Sequence, residues 1–228
     1  MRENLCTIPI NKILEENDGC PLCKMRDIIE GRMVDFTLGD SMMDPETRMQ
    51  TNKLGFCEPH LKQLKKGKNR LALALMLRTH IEEIEKTVLA DGLFASAKKS
   101  LAKAKEFEHS CFVCDGIERN IKHLLSTFCK SYNTDSAFRR EFASQQYICL
   151  PHYTRLIECV DDIDKPLRKQ FFADCRTLAE NYLGSLKDGL DSFAKMFDYR
   201  SDPNSPEFAD AKDAIERANY WLFSHEID

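Results

Sequence analysis

The sequence predicts an all-α protein: a tandem repeat of helical units, each with a Cys3His zinc site, plus a C-terminal helix. Three observations predict it. Apolar residues recur every three or four positions along most of the chain, and no stretch alternates with the two-residue rhythm of a strand. Glycine and proline number only 9 and 8 in 228 residues, too few for the turns of a many-stranded fold. One pattern of cysteine and histidine occurs twice, and each copy heads an apolar stripe.

A short helix is expected over residues 7–17. Thr7 serves as N-cap, Pro9 lies in the first turn, Ile10, Ile13 and Leu14 share a face, and Asn17-Asp18-Gly19 ends it. The next helix starts at Cys20 and reaches about Leu38, with Gly39 as C-cap and a stripe of Leu22, Met25, Ile29, Met33 and Phe36. Asp44-Pro45-Glu46 reads as the N-cap and first turn of a helix ending near Gly55. Cys57 opens a longer helix, and Leu73, Leu77, Ile81, Ile84 and Val88 mark the stripe after it. From Gly92 to His109 the chain is rich in Ala and Lys, good helix formers, and reads as a helix joining two halves.

The second half repeats the order. A helix from Cys111 carries Val113, Ile117, Ile121, Leu124 and Phe128, and a short one beginning between Asn133 and Ser136 holds Phe138 and Phe142. A CxxH helix follows, and then a five-turn stripe of Leu178, Tyr182, Leu186, Leu190, Phe193 and Phe197. Asp202-Pro203-Asn204-Ser205-Pro206 reads as a linker to a last helix with Phe208, Ala211, Ile215, Ala218 and Leu222. The expected divisions are 1–108 for the first zinc-binding repeat, 109–200 for the second, and 201–228 for the linker and C-terminal helix.

The cysteines carry the chemistry. Cys20-Pro21-Leu22-Cys23 precedes Cys57-Glu58-Pro59-His60, and Cys111-Phe112-Val113-Cys114 precedes Cys149-Leu150-Pro151-His152. The two gaps hold 33 and 34 residues, and the whole pattern recurs after 91 to 92 positions. Three thiolates and one imidazole form a common tetrahedral set for structural zinc. Each CxxC or CxxH supplies two donors close enough for one ion, at an expected helix N-terminus whose dipole favours a negatively charged site. The expected metal ligands are therefore Cys20, Cys23, Cys57 and His60 in the first repeat and Cys111, Cys114, Cys149 and His152 in the second, holding two structural Zn²⁺ per chain. Pro21, which pre-sets a helical φ, and Gly55, which offers a flexible turn, favour the first set as the stronger.

With every coordination position filled by protein, a Lewis-acid enzyme is disfavoured. No phosphate loop, nucleophile elbow or HExxH motif occurs. Covalent haem is excluded in its simple form, because Lys24 and Asp115 follow the CxxC pairs where a His is needed. The rival chemistry is thiol redox, since a CxxC at a helix start has a lowered thiol pKa. That reading lacks the strand expected before the motif and gives the CxxH no role. Outside both motifs, Cys6, Cys129, Cys159 and Cys175 read as small buried apolar residues. His80, His109, His123 and His225 have no partner at metal spacing, and the acidic run Asp161, Asp162 and Asp164 reads as a helix end or loop.

Charge is uneven. Residues 61–105 hold 11 Lys+Arg against 4 Asp+Glu, including Lys62, Lys65, Lys66, Lys68 and Arg70, whereas residues 155–228 hold 10 against 16. A solvated helix face accounts for the basic segment, and a nucleic-acid patch is the alternative. The net charge of −4 and the lack of aromatics among these lysines count against the patch. No run of ~18 apolar residues is present to span a bilayer, and Met1-Arg2-Glu3-Asn4-Leu5-Cys6 lacks the apolar stretch of a secretory signal. A reducing, cytoplasmic setting is expected, where structural disulfides are rare and clustered cysteines mean metal or redox chemistry.

Thr7-Ile8-Pro9-Ile10, Cys20-Pro21-Leu22-Cys23, Gly55-Phe56-Cys57 with His60, and Asp198-Tyr199-Arg200 resemble an uncharacterised bacterial domain-of-unknown-function family with paired CxxC and CxxH motifs. The resemblance runs over most of the chain. It implies a cytoplasmic bacterial protein and carries no activity with it. The second repeat departs from the pattern in lacking Pro after its first Cys and Gly-Phe before its third. The expected function is non-catalytic: a zinc-bound scaffold or regulatory interaction module with a protein partner. The alternatives are a thiol redox protein or redox-sensitive zinc switch, and a nucleic-acid-binding module using the segment after His60.

Overall fold

Four helices begin immediately after a cysteine, and this repeated local event organises the chain. The computed structural model describes residues 8–89, 96–198, 200, 202 and 205–224. Among these there is no strand, and eleven α-helices are present, joined in places by 3-10 turns. They are α1 (Ile8–Glu16), α2 (Pro21–Leu38), α3 (Pro45–Leu54), α4 (Glu58–Lys66), α5 (Arg70–Val88), α6 (Ala97–Glu108), α7 (Phe112–Thr134), α8 (Ser136–Ala143), α9 (Leu150–Glu158), α10 (Arg168–Lys195) and α11 (Ala214–Phe223).

Local chemistry sets most of the boundaries. The Asp44 carboxylate accepts from Thr47 N at 2.8 Å and caps α3 with Pro45 at its first position. Asp135 caps α8 by accepting from Ala137 N at 2.8 Å. The CxxH helix α4 is only nine residues long, shorter than expected. It stops at Gly67, and Asn69 then caps α5 through Ala72 N. Near the C-terminus a 3-10 helix, Pro206–Ala211, precedes α11 and shifts the helical phase. Ala214 and Trp221 are buried there, while Ile215 and Leu222 of the expected stripe are exposed. Cys6, Thr7, Gly92, Tyr199, His225 and part of the 202–206 linker lie outside the described residues.

The chain divides into two compact units, and they are nested rather than consecutive. The inserted unit is Asp27–Ile121. The flanking unit comprises the described residues up to Arg26 and those from Lys122 onward. These units do not coincide with the expected divisions at 108/109 and 200/201. Apolar periodicity locates helices but is silent on which ones pack together.

In the inserted unit α5 packs on α3 and α6. Its core gathers Leu38, Leu64 and Leu73, with Val34, Phe56, Leu61 and Leu77 against them. Arg48 ties α3 to α5, donating to Leu75 O at 3.1 Å and Thr79 Oγ1 at 2.8 Å. In the flanking unit α10 runs beside α8, α9 and α11. Its core is aromatic: Phe128 meets Phe138 and Phe142 edge-on at 5.0 Å each, and Tyr132 meets Phe171 at 5.0 Å. The Tyr132 hydroxyl donates to Asp174 at 2.6 Å, so its one polar atom is satisfied.

Candidate metal centres

Each cysteine pair occupies the first turn of its helix. The carbonyls of Cys20, Cys57, Cys111 and Cys149 accept the first helical bonds, from Lys24, Leu61, Asp115 and Tyr153 at 2.8–3.3 Å. The first residue of each pair is thus an N-cap and the second lies three positions on, which turns both side chains toward one point beyond the helix end. The expectation that all four pairs head helices holds.

The pairing between helices is crossed. Cys20 and Cys23 meet Cys149 and His152 within the flanking unit, and Cys57 and His60 meet Cys111 and Cys114 within the inserted unit. All eight expected residues are gathered, yet neither expected set of four is. Each cluster takes its CxxC from one sequence repeat and its CxxH from the other.

Hydrogen bonds next to the ligands explain the crossing. Asn17, with φ +40°, donates from Nδ2 to Ser144 O at 3.1 Å and accepts from Gln146 N at 2.9 Å. Gln146 Nε2 donates to Asn17 O at 2.7 Å, and Gln145 Nε2 to Leu14 O at 2.8 Å. The turn before Cys20 is thereby fixed to the turn before Cys149. In the inserted unit Phe112 N donates to Gly55 O at 2.9 Å and Ser110 Oγ to Leu54 O at 2.8 Å, fixing the approach to Cys57 against the approach to Cys111. Gly55 has φ +57°, and the His80 ring lies where a Cβ would stand, so only glycine fits. His80 is itself held by Asn52 O at 2.7 Å.

The distances fit a tetrahedral ion. With Zn–S near ~2.3 Å and Zn–N near ~2.05 Å, S···S edges are about 3.8 Å and S···N edges about 3.6 Å. In the flanking cluster Cys149 Sγ is 3.8 Å from Cys20 Sγ and 3.5 Å from Cys23 Sγ. His152 Nδ1 lies 3.6, 3.3 and 3.0 Å from Cys20, Cys23 and Cys149. In the inserted cluster Cys57 and Cys114 are 3.7 Å apart. His60 Nδ1 lies 3.1, 3.4 and 3.3 Å from Cys57, Cys111 and Cys114. Both histidines turn Nδ1 inward.

Electrostatics gives the same account. Burial opposes ionisation of Cys20, but hydrogen bonds with Cys149, Cys23 and His152 hold it well below the usual thiol range. Hydrogen bonds with Cys149 and then Cys20, together with burial, push Cys23 up. In the inserted cluster the Cys114 hydrogen bond outweighs burial and, with His60, brings Cys111 down to about 3, while Cys114 is pushed up by that same bond. Burial works against charge on His60, yet Cys111, Glu30 and the neighbouring thiolates carry it up to about 10. One thiolate per cluster is easy to form and the next is resisted by the first, a crowding that a central divalent cation relieves.

A residue outside the motifs completes the inserted cluster. Glu30 on α2 faces His60 Nε2 at 3.0 Å and also accepts from Gln63 at 2.7 Å. A carboxylate on the outer nitrogen fixes the tautomer that offers Nδ1 to a metal. Sequence spacing gave no sign of it. His109, two residues before Cys111, is an exposed C-cap. A third group, Cys129, Cys159 and Asp162, also brings its donor atoms within 4.8 Å of one another.

A family model described as a family of unknown function, DUF6062, matches residues 1–227. The chain belongs to this family. The DUF6062 chain has no match among curated proteins or solved structures. The match spans both cysteine clusters, and no helix among the described residues is long and apolar enough to cross a membrane.

Proposed function

We propose that this DUF6062 chain is a non-catalytic zinc protein, a scaffold or regulatory interaction module whose two Zn²⁺ ions fix pairs of helix ends. The observation that carries this reading is the convergence of two Cys3His sets at tetrahedral spacing, each with all four positions supplied by protein. A closed coordination sphere suits a structural ion. Its role here is to join α2 to α9 and α4 to α7 at their N-termini, where helix dipoles favour the net negative charge of a Zn(Cys)3(His) group. The thiol-redox reading is weakened because each CxxC faces a third sulfur and an imidazole, a set that reading leaves without a role. A structural ion also suits a frame that presents a fixed helical surface to a protein partner.

Elemental analysis of protein purified under reducing conditions and dialysed against metal-free buffer tests this. Two zinc ions per chain are expected. Iron, or less than one metal per chain, overturns the reading.

A further inference from the structure

The third cysteine cluster is built differently from the two motif clusters. Cys129 is buried on α7, Cys159 is the half-buried C-cap of α9, and Asp162 closes the exposed 3-10 turn Val160–Asp162. The loop carrying the latter two is held from both sides. Asp162 N donates to Cys159 O at 3.0 Å. Asn133, one helical turn beyond Cys129 and on its face of α7, donates to Asp162 O at 3.0 Å and accepts from Asp164 N at 3.0 Å. Arg168 donates to Ile163 O at 2.9 Å and Asp161 O at 2.8 Å, and pairs with the Asp161 carboxylate. One face of α7 thus presents a sulfur and, four residues on, clamps the loop that presents a second sulfur and a carboxylate.

We propose that Cys129, Cys159 and Asp162 form a third zinc site, with three protein ligands and a fourth position open to water on the solvent side. Two sulfurs select a thiophilic divalent ion over Mg²⁺ or Ca²⁺, and the carboxylate completes a set that zinc accepts. The site is weaker than the other two. It has one ligand fewer, and two of its three donors, Cys159 and Asp162, stand at the solvent edge. The site is therefore exchangeable, filling and emptying while the two closed clusters keep their ions.

The test starts from dialysed holoprotein under a non-thiol reductant, with its retained metal counted. Zinc chloride is titrated by calorimetry, and Cys159 alkylation is followed by mass spectrometry with and without added zinc. One further equivalent is expected, with protection of Cys159. Asp162→Asn, at an exposed position, should weaken that uptake by about tenfold or more, and Cys159→Ser should abolish it, with the retained metal unchanged in both. Uptake of no further equivalent by the native chain overturns the proposal. So does uptake that persists unchanged in both variants, which would place the ion elsewhere. The retained metal count, measured first, reports separately on the two closed clusters.

Discussion

The two Cys3His clusters have the same residue types and the same crossed construction, and they differ in how they meet solvent. In the flanking cluster all four residues are buried, with Cys149 at 0% and His152 at 6% exposure. In the inserted cluster Cys57 is half-buried and Cys114 exposed, and a carboxylate stands behind the histidine. Corresponding positions account for part of this. Phe112 N–H ties its loop to Gly55 in the inserted cluster, whereas Pro21, its counterpart, has no N–H to give. Where Gly55 stands in one, Tyr147 stands in the other, stacked on Tyr182 at 4.1 Å. One cluster is approached through a backbone bond and backed by a carboxylate, the other through the Asn17 and Gln145–Gln146 side-chain bonds with an aromatic stack beside them. Identical donors therefore do not imply identical lability.

Removing both ions gives the largest effect. Structural zinc contributes roughly 10–16 kcal/mol in comparable small sites, part of it folding energy. Excess chelator should abolish much of the helical circular dichroism, with zinc released in two phases and the exposed inserted cluster first. Release in one phase would remove the distinction between the clusters.

Single-ligand changes come next. Cys23→Ser leaves a buried, partly charged group uncompensated and should cost about 3–5 kcal/mol, against about 1–3 kcal/mol for Cys114→Ser at its exposed position. Thermal melts decide the order. Pro21 and Gly55 do not set it as a pair, because they flank different clusters. A double-mutant cycle sharpens the crossing itself: Cys23→Ser and His152→Ala should be strongly non-additive, and Cys23→Ser with His60→Ala close to additive. The reverse outcome would restore the tandem pairing.

A smaller effect isolates the outer contact. Glu30→Gln should lower zinc affinity at the inserted cluster about 10–100-fold and leave the other unchanged, as measured by competition with a chromogenic chelator. The smallest is remote from both. Asp135→Ala removes the α8 cap and should cost about 1 kcal/mol by thermal melt without altering release from either cluster.

Helix positions and the eight clustered Cys and His residues were legible because both depend on short-range chemistry. Gly39 after Leu38, Asp44 before Pro45 and the four cysteine N-caps are each decided within a few residues. The ligand partners depended on contacts far apart in the chain. Asn17 reaches the 144–146 turn and Ser110 reaches Leu54, and neither has any periodicity to reveal it. Equal spacing invited the nearest-neighbour pairing. Glu30 was hidden for the same reason, being one acid among many on a helix whose partner is unknown until the fold is seen. Ile215 and Leu222 failed through phase, since the break before α11 rotates the buried face onto Ala214 and Trp221.

The nested pairing has a consequence for how the chain is made. Synthesis runs from the N-terminus, so the ligands of the inserted cluster are complete once Cys114 has emerged, while Cys20 and Cys23 wait for Cys149 and His152. The stretch from Cys114 to His152 alone takes roughly 2–8 s at ordinary rates of translation. Earlier still, after His60 and before Cys111, the nascent chain already carries a full Cys3His complement in Cys20, Cys23, Cys57 and His60, which is the wrong one. Zinc captured then would have to be given up before α2 could meet α9. Refolding in the presence of zinc therefore offers this chain a metal-stabilised trap that refolding in its absence does not.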